Sequence, residues 1–228
     1  MKTKKIIEEL KLMIPIVSFI CFVFCSCSSQ NQFATNSKNK KINTEFSGNN
    51  GLFIDQRDGK VYKWVRIGTQ IWLAENLTFK VDSGCIAYKY KEKNVKKYGF
   101  LYNGITAQEV CPIGWHLPTK NEFEMLHNFV GNNHYEAFMA FKKKEDYGFN
   151  TLNAGLYHKE SNEFRRYWYI PRSRVDEFWS STLVSIDSVG VKYYATLTIN
   201  YFRKIAIVGV SGSNSENEFL PIRCIKDN

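Results

Sequence analysis

The stretch CPIGWHLPTKNEFEMLHNFV, residues 111–130, decides how the rest of the chain is read. Its first half is stiff, because Pro112 and Pro118 fix their own φ and withhold amide donors. Residues 111–118 therefore form an extended or turning segment that delivers the chain into a helix. Thr119 is the expected N-cap. With Glu122 it makes the threonine-x-x-glutamate capping box, in which two orphan amides are satisfied reciprocally. Phe123, Leu126, His127 and Val130 then recur at i, i+3, i+4 and i+7, one helical face. His127 on that face is expected to be a packed or edge histidine and not a ligand.

A second helix is expected over residues 134–144, with Ala137, Phe138 and Phe141 as its buried stripe. Lys142, Lys143 and Lys144 suit its negative C-terminal end, and Gly148 breaks it. Upstream, residues 51–77 read GLFIDQRDGKVYKWVRIGTQIWLAENL. Asp58-Gly59 signals a hairpin, since a tight primed turn needs positive φ. From 61 to 67, Val61, Lys63, Val65 and Ile67 alternate with Tyr62, Trp64 and Arg66. Both faces carry large apolar groups, so the strand is expected to be covered on both sides. Gly68-Thr69 marks a second reversal. Asp55 and Asp58 lack the alternating acidic spacing of a calcium loop.

Downstream of the helices the pattern returns to strands, at 152–158, 163–170, 177–183, 192–199, 204–210 and 220–225. Strands, two helices in the N-terminal half of the domain, and then a run of strands indicate an α+β fold with antiparallel sheets.

Of the 228 residues, 15% are aromatic, 44% hydrophobic and 23% charged, which excludes a disordered or Pro-rich chain and favours β structure. The net charge is +9, of which the first 26 residues hold four lysines against two glutamates. The remaining excess suits anionic lipid, acidic polysaccharide or nucleic acid, but the basic residues are scattered and no nucleic-acid motif accompanies them. No nucleic-acid partner is expected.

Residues 1–11 are Lys-rich and 12–25, LMIPIVSFICFVFC, are almost wholly apolar. Fourteen residues are too few for a membrane-spanning helix, which takes about 20. They match the apolar core of an export signal. Ser26-Cys27, followed by polar residues, resembles the end of a bacterial lipoprotein signal. That resemblance implies a thioether diacylglycerol and an N-acyl chain on Cys27, and stable membrane attachment. The expected division is a signal peptide over 1–26, a flexible tether over 27–50 that is rich in Ser, Asn and Lys, and one domain over 51–228. A coil of that length spans about 25–30 Å. The expected location is the cell envelope, lipid-anchored at the outer membrane.

Six segments in order, D55QRDGKVY62, I67GTQIWLAENL77, K97YGFLY102, C111PIGWHLP118, F178WSST182 and I222RCIKD227, resemble the Fibrobacter succinogenes major paralogous domain family over residues 54–227. The resemblance implies a variant of the C-type lectin-like fold, whose topology brings the ends of the domain together. It thereby implies a Cys111–Cys224 disulfide. Family members commonly carry a cysteine pair before the Lys-Tyr-Gly motif; here Val95 stands where the partner of Cys85 is expected, leaving Cys85 as the odd thiol.

The fold resemblance points to a domain that binds a glycan, polysaccharide or envelope protein, although fold alone does not define a site. The segment 163–172 offers aromatic faces and polar groups together. Arg165, Tyr167 and Tyr169 share one face and form the candidate ligand platform, unless that face is an ordinary solvated strand. The acidic signatures of calcium-dependent lectins are absent. Gly114–Phe123 looks like a motif of the formylglycine-generating oxidases, but that chemistry needs a reactive cysteine pair near the C-terminus, where only Cys224 lies. Nucleophile-elbow, zinc-protease and Walker motifs are missing, and His116, His127, His134 and His158 show no ligand spacing. No catalysis, metal or cofactor is expected.

Overall fold

A computed structural model describes residues 46–143, 147–165, 175–209 and 213–228. The chain opens with β1 (Asn50–Ile54), β2 (Val61–Ile67) and β3 (Gln70–Leu73). β4 (Cys85–Ala87), the single-turn helix α1 (Val95–Tyr98), β5 (Phe100–Asn103), the single-turn helix α2 (Gly104–Ala107) and β6 (Trp115–His116) follow. Two longer helices come next, α3 (Lys120–Val130) and α4 (His134–Lys142). The second half holds β7 (Leu156–His158), β8 (Glu163–Arg165), β9 (Val175–Ile186), β10 (Lys192–Asn200) and β11 (Ile205–Val208). β12 (Ser213–Asn214), β13 (Glu218–Leu220) and β14 (Ile225–Lys226) close it.

Three antiparallel sheets result. The first has the order β1-β2-β3-β14-β6, so the C-terminal strand lies inside the N-terminal meander. The second centres on β10, flanked by β9 on one edge and by β11 and β12 on the other. The third runs β4-β5-β13-β7-β8. An α+β fold with antiparallel sheets is thus present. The expected hairpin between β1 and β2 forms with Ile54 opposite Val61, but its loop is longer than a tight primed turn. The Asp55 carboxylate is the reason: it accepts from the Arg57 amide and guanidinium, wrapping the loop around itself. The Gly68-Thr69 reversal joins Ile67 to its partner Gln70 directly.

The expected cover of β2 on both faces holds only toward its end: Val61 is 47% exposed and Lys63 is exposed, because on their face only Val65 and Ile67 reach the second core. Tyr62 and Trp64 enter one core with Leu73, Trp115 and Trp179, while Ile67 enters a second with Trp72, Phe123 and Phe141. The second core lies between the helices and the sheet around β10. Each such side chain stabilises the fold by roughly 1.5–3 kcal/mol of burial. A third, smaller core gathers Tyr88, Leu101, Tyr157 and Phe219.

Thr119 caps α3 as its spacing implies. Its hydroxyl accepts from the Glu122 amide, and the Glu122 carboxylate accepts from the Thr119 amide at 2.7 Å. In the turn before it, Gly114 sits at φ 80°, a conformation side chains resist. Two expected strands differ. The strand expected from 152 begins at Leu156, because Asn150 and Asn153 both take positive φ. The strand expected over 220–225 divides between two sheets, because Pro221 has no amide for a ladder and the buried Arg223 turns inward.

The implied disulfide is present. Cys111 and Cys224 are bonded, with Cα atoms 6.0 Å apart and a sequence separation of 113. It joins the entrance of α3 to the segment before β14.

Candidate functional site

Residues 149–155, FNTLNAG, connect α4 to β7 and are held by two buried charges. Arg223 donates to the carbonyl oxygens of Phe149, Asn150 (3.5 Å) and Leu73 (3.3 Å), and to Asn76 Oδ1 at 2.6 Å. Its guanidinium also lies 4.5 Å from the Phe149 ring centre. Burial lowers its pKa to about 9, so it remains a cation at neutral pH. From the other side, the Asp176 carboxylate accepts from the amides of Asn153 and Ala154 and from the Tyr201 hydroxyl. Burial raises the Asp176 pKa, and these donors oppose the rise. The Thr151 amide donates to the Phe141 carbonyl, and its hydroxyl lies 2.7 Å from that of Tyr201.

The segment is therefore a fixed platform. Asn150 and Asn153 have φ of 48° and 54°, an uncommon conformation that Asn tolerates better than most residues. Local strain of this kind, held by buried partners, gathers at functional sites.

Two clefts open on either side, and Leu152 lines both. The first, about 570 Å³, lies among Lys60, Tyr62, Glu75, Asn76, Lys96, Lys97 and Asn150. Lys60 is engaged there, donating to the Thr78 carbonyl and pairing with Asp58 at 3.3 Å. The second, about 640 Å³, is walled by Tyr135, Phe138, Met139 and Lys142 of α4. Thr151 and Asn153 form its floor, and Tyr201, Phe202 and Lys204 come from the β10–β11 turn. Both volumes fall within the range of roughly 300–1,000 Å³ usual for ligand pockets. In the second cleft Tyr135 is 53% and Phe202 62% exposed, an open aromatic rim. The Oδ1 of Asn153 is buried without a hydrogen-bond partner. A buried acceptor left unsatisfied is costly, and such atoms call for an explanation.

A third, smaller cleft of about 330 Å³ surrounds His127 and His134. The chain reverses at Gly131-Asn132-Asn133, between α3 and α4. The reversal turns α4 back so that His134 Nδ1 lies 3.2 Å from His127 Nε2, which is also 3.1 Å from the Ala206 carbonyl. His127 is indeed packed. His116 sits elsewhere, between Asp227 at 2.6 Å and Glu122 at 2.9 Å. Among the described residues, no three His, Cys, Asp or Glu side chains gather to hold a metal ion.

Of the residues singled out from sequence, Cys111 and Cys224 pair with each other. Cys85 is a free thiol, half-buried, donating to the Val81 carbonyl at 3.4 Å, and burial raises its pKa. Cys27, Tyr167 and Tyr169 lie outside the described residues, and Arg165 is placed by its backbone at the end of β8. The second cleft was not foreseen. Its walls come from three separate segments, and the one local signal is the density of Asn and Gly in 148–155 between helix and strand.

A disulfide-stapled α+β domain of three antiparallel sheets, with clefts flanking a pinned loop, is the class that fold and site define. The chain belongs to the Fibrobacter succinogenes major domain family, whose sequence profile matches residues 65–226. No curated protein and no solved structure matches it.

Proposed function

We propose that this chain is an exported envelope protein, anchored by lipid at Cys27, whose domain binds glycan without transforming it. The observation that carries the binding reading is the second cleft, where the exposed rings of Tyr135 and Phe202 stand beside polar Thr151, Asn153 and Tyr201. Sugars present apolar C–H faces and hydroxyl groups together, and this cleft offers both counterparts. The lysine-rich start, the apolar run over 12–25 and Ser26-Cys27 support export and anchoring. A disulfide suits an oxidising compartment. Cys224, held in that bridge, is not free to serve oxidase chemistry of the formylglycine-generating kind.

Polysaccharide pull-down and a glycan array with the full chain test the reading. Retention that falls in Tyr135→Ala/Phe202→Ala supports it. Loss confined to Tyr167→Ala/Tyr169→Ala would move the site to the platform that includes Arg165. Retention of no glycan overturns it. Acyl-probe labelling should vanish in Cys27→Ala.

A second reading, a structural or protein-binding envelope lipoprotein, draws on the β9–β10 hairpin. Leu183, Val184, Ile186 and Val189 are exposed there, an apolar tip of the kind that meets protein partners. A protein partner retained with no glycan bound would favour it.

A further inference from the structure

We propose that the glycan taken by the second cleft is anionic, its carboxylates held by Lys142 and Lys204 and its C–H face laid against Tyr135 or Phe202. This rests on the glycan reading above and adds the chemical class of the ligand. Lys142 lies at the last turn of α4 and Lys204 in the turn leading into β11, and both line the cleft. Neither has an ion-pair partner among the described residues, whereas Lys60, Lys80 and Lys120 are all paired with carboxylates. Among the described residues that line this cleft none is acidic. Asp176, whose carboxylate holds the loop that lines it, is occupied by the amides of Asn153 and Ala154 and by the Tyr201 hydroxyl.

Two unpaired cations facing one cavity attract anions. Inorganic anions would leave the aromatic rim unused. A carboxylated sugar uses both features: its C–H face against Tyr135 or Phe202, and its carboxylate toward the lysines.

The test is affinity electrophoresis and calorimetry of the full chain in detergent. The probes are alginate, polygalacturonate and hyaluronan, each beside its carboxyl-reduced counterpart. The expected result is binding of at least one acidic polymer, weakened by added salt, with its reduced form bound at least about 10-fold more weakly. Lys142→Gln/Lys204→Gln should weaken that acidic polymer by about 3- to 20-fold. The charge-matched pair Lys93→Gln/Lys159→Gln, on exposed residues away from the cleft, should leave it unchanged. Equal binding of acidic and reduced polymers, or equal loss in the two lysine pairs, overturns the anionic assignment while glycan binding stands. Binding of no polymer in either form removes both.

Discussion

His116 has both ring nitrogens committed to carboxylates, Nδ1 to Asp227 and Nε2 to Glu122. A neutral imidazole has one N–H and can donate to one of them, whereas the cation donates to both. Burial lowers its pKa, but the hydrogen bonds it donates to Asp227 and Glu122 outweigh that effect and the net shift is upward. A histidine whose folded pKa is raised contributes stability that is fully present below its unfolded pKa of about 6.5. That contribution is lost as pH rises through the folded value. His116→Gln should therefore lower the urea midpoint more at about pH 5.5 than at about pH 9. Equal losses at the two pH values would contradict the pairing. Nothing local in the sequence announces this contact, since Asp227 lies 111 residues from His116. The Glu122 half was legible only as a cap, and the same carboxylate serves the cap through one oxygen and the imidazole through the other.

The loop over 149–155 shows what a segment can carry without being helix or strand. Arg223 holds its start and Asp176 its end, so its two left-handed asparagines are fixed before any ligand arrives. Preorganisation of this kind reduces the ordering cost of binding. Replacing Asn153 by Ala forces a Cβ-bearing residue without a local polar side chain into φ 54°, at about 1–2 kcal/mol. Asn153→Gly avoids that strain. Thermal melts should show Ala clearly less stable than Gly at this position, and the reverse order would mean that the loop is not held. The contrast with α3 explains which elements the sequence reveals. The α3 cap, its apolar face and its start at Thr119 all depend on neighbours within one or two turns, and all were legible. The division of 220–225 between two sheets depends on where Arg223 finds carbonyls 70 to 150 residues away, and no periodicity encodes that.

At the scale of the whole molecule, the C-terminal strand lies between β3 and β6, and the Cys111–Cys224 bond fixes it next to the entrance of α3. The pairing followed from the family resemblance, because composition and spacing name no partner for either cysteine. Closing a loop of about 100 residues is worth up to ~4.7 kcal/mol in the chain-entropy model. Cys111→Ala/Cys224→Ala should lose about 2–5 kcal/mol in urea unfolding. A loss below about 1 kcal/mol would mean that the sheet holds its ends together unaided. The clefts were the least legible part of the molecule, since three distant segments converge on the second one only after all three sheets have formed.

The central claim is that sugar binds over the pinned loop between α4 and β7. Amide chemical shifts of the isotope-labelled full chain, titrated with oligosaccharides of whichever polymer it retains, test this most directly. The account predicts shifts concentrated at Thr151, Leu152 and Asn153 and at Phe202 and Lys204. Shifts confined to other surfaces, with these five residues unmoved at saturation, would contradict it.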